Sequence, residues 1–141
     1  MKVMSLFLLL LYTSAIANPE RGKLLFQIDF QDFYQEDILS LKIGDVILVN
    51  EHILTSDPSD GLTDMFLFFY KEKNKIRAET STHEVYYIPN TSPNLELHIF
   101  LNGKETVHVF NRKKGKYLGI SKWDDTNKLD IIQSKRHFQY E

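Results

Sequence analysis

The sequence predicts an all-β fold, an antiparallel sandwich or rolled sheet of eight to ten short strands with at most one short helix. Three observations carry that expectation. Apolar residues alternate at period two in several short segments, spaced roughly 8–12 residues apart. Asn102-Gly103, a strong hairpin signal, separates two such segments. No βαβ periodicity and no helical stripe long enough for a bundle interrupts them.

The first strand is expected at residues 23–30, where Leu24, Phe26, Ile28 and Phe30 share one face, a half-buried pattern. Residues 31–39 read two ways, because Phe30, Tyr34 and Ile38 also fall at helical spacing and allow a short helix. Residues 39–43 alternate again, and 46–49 lead a run that ends at Leu54. Gly44-Asp45 between them is a two-residue turn, or Gly44 is a bulge in a longer strand. Residues 55–61, Thr-Ser-Asp-Pro-Ser-Asp-Gly, form the most loop-like segment. The unbroken apolar run 65–70 predicts a strand buried on both faces. A Lys- and Glu-rich turn at 71–75 returns the chain to a more polar strand at 76–80, and 84–88 supplies the next. A loop with two prolines, 89–94, carries the glycosylation sequon Asn90-Thr91-Ser92. Beyond the hairpin, Lys113-Lys114-Gly115 turns the chain into a short strand at 116–120. Residues 128–133 allow one more strand in a polar tail.

The register of the 95–110 hairpin is set by its apolar faces. Leu95, Leu97, Ile99 and Leu101 line one face of the first strand, Val107 and Val109 one face of the second. A two-residue loop would place Leu97 opposite His108 and mix the faces, since a one-residue slip inverts every side chain. A three-residue loop, Leu101-Asn102-Gly103 with a bulge at Gly103, pairs Leu97 with Val107 and Leu95 with Val109. The pattern therefore favours the three-residue loop. It groups Glu96, His98 and His108 on the face away from the core.

Residues 1–17 read as a signal peptide: Lys2, an apolar stretch at 6–11, and Ala15-Ile16-Ala17 before the cleavage point. The apolar stretch is too short to span a bilayer, and none later approaches that length, so the expected product is secreted with no integral membrane segment. Cleavage leaves 124 of the 141 residues, enough for one domain with its own core. Residues 18–122 form the β domain and 123–141 a C-terminal tail, either a final strand or the start of a truncated repeat. The chain has no cysteine, which excludes disulfides, thiolate metal sites and cysteine nucleophiles. A formal charge of −2, shifted by one when Lys2 leaves with the leader, gives no case for nucleic acid or an anionic membrane.

No catalytic motif is present: no Gly-x-Ser-x-Gly, no His-Glu-x-x-His, no glycine-rich phosphate loop. No catalytic, cofactor-binding or metal-ligating residue is assigned, and no cofactor is expected. Glu96, His98 and His108 are the constellation with chemical potential, as zinc or copper ligands, against a plain polar face. Glu36/Asp37 and Asp124/Asp125 read as turn and surface residues, and residues 124–127 lack the EF-hand order. Residues 112–116 form a basic cluster that reads as a solvated hairpin tip. The aromatic run 66–70 reads as core, with a lipid pocket as the alternative.

The order of features resembles the FAINT domain (frequently associated in Theileria) of secreted piroplasm-parasite proteins. Phe26-Gln27-Ile28-Asp29 and Asp32-Phe33-Tyr34 answer its opening strand and Phe-Asp-Tyr-like segment, Gly44-Asp45-Val46-Ile47 its Gly-Asp-Val strand, and Val85-Tyr86-Tyr87-Ile88 its valine-rich strand. The hairpin ending in Phe110, then Lys113-Lys114-Gly115 and Tyr117, answers its close. Arg77 and Tyr117 stand where that pattern has tryptophan. The likeness covers about residues 24–120. It implies a secreted, non-enzymatic module. The leading expectation is an interaction module at the parasite–host boundary whose partner the sequence does not name, a host protein being the candidate, with a sheet edge or a loop such as 55–63 as the contact. The alternatives are a carrier of small hydrophobic ligands with a lipocalin-like cavity, then a metal-binding protein.

Overall fold

The computed structural model describes residues 22–89, 94–123 and 126–139. The expected leader, the sequon at 90–92 and the pair Asp124-Asp125 lie outside them. Among the described residues the chain is all-β, with ten strands in two sheets. In chain order they are β1 Leu24–Phe30, β2 Asp37–Ile43, β3 Val46–Leu54, β4 Phe66–Glu72, β5 Lys75–Thr80, β6 Val85–Pro89, β7 Leu95–Leu101, β8 Lys104–Phe110, β9 Tyr117–Lys122 and β10 Leu129–Ser134. The larger sheet runs β10-β9-β1-β4-β5-β6 and the smaller β3-β2-β7-β8. All pairings are antiparallel except β1 with β9. Residues 31–36 form no helix, and a single 3-10 turn at Arg112–Lys114 is the helical element described. That basic turn is exposed and carries the chain from one sheet to the other, so it is a crossover and not a hairpin tip.

The two sheets stack as a sandwich around an aromatic pile. The Phe26 ring lies 4.0 Å from Phe69 at 10° and 4.3 Å from Phe110 at 27°. Phe110 comes from the smaller sheet, so this pile joins the layers. Leu39, Leu41, Leu97, Ile99, Leu118 and Ile120 complete the interior around it, all fully buried. Each such side chain stabilises the fold by about 1.5–3 kcal/mol relative to exposure.

Two burial expectations are reversed. β4 buries Leu67 and Phe69 but leaves Phe66, Phe68 and Tyr70 half-covered on its outer face. β1, expected to be half-buried, is covered on both faces from Phe26 onward. It lies between β9 and β4, and its polar residues Gln27 and Asp29 are flanked by Phe66 and Phe68 of β4. Asp29 is only 1% exposed and accepts a 2.7 Å hydrogen bond from Gln27 Nε2. Hydrogen bonding of this kind lets polar side chains lie out of water.

The hairpin register is also corrected. Leu101 pairs with Lys104, Leu97 with His108 and His98 with Val107. The loop is the two-residue one, with Asn102 at φ 51° and Gly103 at φ 83°, the two left-handed residues of a type I′ turn. β8 is an edge strand, and only its last residue, Phe110, is fully buried. Val107 and Val109 face outward, half-exposed. The smaller sheet therefore takes its core face from β7, and the apolar pattern of β8 did not decide the register.

Candidate functional site

One end of the sandwich gathers the last residues of β1, β3, β7 and β9 and the first of β2, β4, β8 and β10. Here the chain leaves β1 and turns towards the smaller sheet. Gln31 N donates to Ile120 O at 2.9 Å, Asp32 N to Ser121 Oγ at 3.2 Å, and Lys122 N to Asp32 O at 3.0 Å. Past the bend, Tyr34 N donates to Ser56 Oγ at 3.1 Å and Ser56 N to Tyr34 O at 2.9 Å. The Tyr34 ring is buried and its hydroxyl donates to Ile120 O at 2.9 Å. Burial, then the Asp37 charge, pushes that hydroxyl's pKa well above the usual phenol value.

Phe33 sits between these anchored neighbours at φ 71° with 61% of its surface exposed. An aromatic residue in the left-handed region costs roughly 1–2 kcal/mol, and the exposed ring recovers little of that through burial. Trp123, 60% exposed, directly follows β9, and Ile132 of β10 is half-exposed on the outer face. Together they border a groove of about 370 Å³ whose polar lining includes Asp32, Asp130 and Ser121. On the other side of Phe33 a cleft of about 450 Å³ opens against Thr55, Ser56 and Pro58. The loop expected to make contacts, 55–63, thus adjoins Phe33.

A polar junction underlies the groove. Asp37, at the start of β2, is buried, contrary to its reading as a surface residue. Lys122 Nζ lies 3.0 Å from Asp37 Oδ2, Gln35 N donates to the same oxygen at 2.8 Å, and Asn102 Nδ2 donates to Oδ1 at 2.8 Å. Asn102 Nδ2 also reaches Asn127 Oδ1 at 3.0 Å, and Asn102 Oδ1 accepts from Ile38 N at 2.9 Å. Burial raises the Asp37 pKa, but the hydrogen bonds from Asn102, Gln35 and Lys122 and the Lys122 charge outweigh it and hold the carboxyl below its ordinary value. Lys122 is therefore neutralised from below. Among the described residues the carboxylates of Asp32 and Asp130 accept no hydrogen bond and form no ion pair.

The histidine constellation is dispersed by the corrected register. His98 faces outward, 3.4 Å from Glu96 Oε1 and 3.6 Å from Glu105 Oε1. His108 faces inward, opposite Leu97. Burial first, and then the Lys114 charge, lower the His108 pKa against the raising effect of a hydrogen bond to Gln133. Among the described residues no group of three histidine or acidic side chains is placed to hold a metal ion. His52 lies 3.1 Å from Asp64 Oδ1, and His83 falls in the turn before β6. Arg77 is engaged with Glu72 at 3.2 Å, Glu79 at 3.4 Å and the Tyr70 ring at 5.3 Å.

Sequence reasoning did not single out Phe33 or Trp123 as site residues. One signal was present: continuing the β1 alternation through Asp32 and Tyr34 puts Phe33 out of phase, on the face away from Phe26, Ile28 and Phe30. Among the described residues no helix is long and apolar enough to cross a membrane. No protein-family model matches the chain, and neither a search of curated proteins nor one of solved structures finds a match.

Proposed function

We propose that this chain is a non-enzymatic binding module that contacts a partner protein through the Phe33–Trp123 end of its sandwich. One observation carries the reading. Phe33 is held by hydrogen-bonded neighbours in a left-handed backbone conformation, with its ring in solvent beside the exposed Trp123. Strained residues that burial does not reward concentrate at binding sites, and exposed aromatic anchors at pocket rims are what interface hot spots are made of. The setting is part of the same proposal: export through the leader at 1–17, and action at a parasite–host boundary as a FAINT-type domain, rest on the sequence features given above.

The test compares capture of host-cell proteins by the immobilised protein and by a Phe33→Asp, Trp123→Ala variant, after circular dichroism shows both folded. The reading expects a specific partner with the wild type and its loss with the variant. A partner retained equally by both, or none with either, refutes it.

A further inference from the structure

The groove beside Phe33 has a chemistry that selects its occupant, and we infer that it receives a cationic side chain, an arginine foremost, from an extended segment of the partner. The inference rests on the binding-module reading and adds the chemistry recognised.

Charge complementarity carries it. Two carboxylates line the groove, Asp32 from the β1 bend and Asp130 from β10, and neither has an ion-pair partner among the described residues. Lys122, which also lines the groove, is bound 3.0 Å from the buried Asp37 and cannot neutralise them. Lys128, across the turn from Trp123, is exposed and pairs with neither carboxylate among the described residues. The groove is thus locally negative although the chain is near charge balance. Its rim carries the Phe33 and Trp123 rings, whose faces attract cations. A guanidinium fits both features, because it stacks flat on an aromatic ring while its N–H groups fork onto a carboxylate. A volume of about 370 Å³ lies at the small end of ligand pockets, roughly 300–1,000 Å³, and suits one long side chain. A neutral sugar would use the rings but leave both charges unanswered.

Trp123 is the single tryptophan of the chain, so its emission reports on this groove alone. The purified protein is titrated with the capped tetrapeptide Gly-Gly-Arg-Gly, with its citrulline counterpart, and with maltotriose. The inference expects a saturable change in emission with the arginine peptide, weakened by about 0.5 M salt through screening. It expects affinity to fall about tenfold in Asp130→Asn and in Asp32→Asn, each of which removes one charge-assisted contact. Both positions are exposed, so neither change threatens the fold. Equal binding of the citrulline peptide overturns the inference, since shape without charge then suffices, while the binding-module reading stands. Saturable binding of maltotriose in place of the arginine peptide overturns it too, as does no response to any probe. The binding-module reading is judged separately, by the capture comparison.

Discussion

Lys122 Nζ lies 3.0 Å from Asp37 Oδ2, with the two side chains only 11% and 7% exposed. Lys122 ends β9 in the larger sheet and Asp37 begins β2 in the smaller, so this pair ties the layers together directly beneath the groove. Removing one partner of a buried pair leaves the other charged without compensation, a cost of roughly 3–5 kcal/mol. Lys122→Met is expected to destabilise the protein by about 3 kcal/mol in urea unfolding. Adding Asp37→Asn to that variant recovers part of the loss, because the buried charge is gone and the amide oxygen still accepts from Asn102. A double variant no more stable than Lys122→Met shows that the buried charge is not the source of the loss.

Acid is expected to destabilise the protein in two steps, one from His108 and one from Asp37. Burial lowers the His108 imidazole pKa below 6.5, so the unfolded chain takes up that proton first. Stability then falls as pH drops below 6.5 and levels off once the folded form also protonates. Asp37 has its folded pKa below 3.8. Its contribution is complete above that value and is lost as pH falls through the folded pKa. Urea midpoints measured across the acid range should show both steps. His108→Leu flattens the upper one and Asp37→Asn the lower. A profile unchanged by either substitution contradicts the assignment.

Asn102 shows how far the sequence could be read, and where it could not. The dipeptide Asn102-Gly103 announces its hairpin, and eight to ten strands follow from alternation, one unbroken apolar run and turn residues, against the ten observed. The register did not follow, because matching apolar faces presumes that both strands are buried, and β8 is an edge strand with outward valines. The same limit explains β1 and β4: a strand's place in the sheet, not its own composition, decides whether its second face is covered. What holds the two-residue turn in place is long-range. The Asn102 side chain reaches Asp37, Asn127 and Ile38, contacts that no local pattern predicts. Asn102→Gly keeps the left-handed turn but loses these bonds, costing about 1–2 kcal/mol. Asn102→Ala also loses the left-handed preference, adding about 1 kcal/mol. Equal stability of the two variants in urea unfolding is the outcome that contradicts this ordering.

Phe33 separates the demands of folding from those of binding. Its φ of 71° disfavours a bulky aromatic side chain, and its ring is mostly in water. The backbone around it is fixed by bonds that its neighbours Asp32 and Tyr34 donate from their N–H groups to the Ser121 and Ser56 hydroxyls, not by the ring itself. Phe33→Asn should therefore keep the bend, because asparagine tolerates the left-handed region through its short polar side chain. The expected change is a gain of about 0.5–1 kcal/mol in urea unfolding, together with loss of the Trp123 emission response to the arginine peptide. A ring that served the fold would give the opposite sign: its removal would lower stability, as core aromatic truncations do by roughly 3–5 kcal/mol. Substituting the fully buried Phe26 by Ala supplies that contrast in the same measurement. Stability lost at position 33 on the scale seen at position 26 would place Phe33 in the fold's support and remove the ground for reading it as a binding residue.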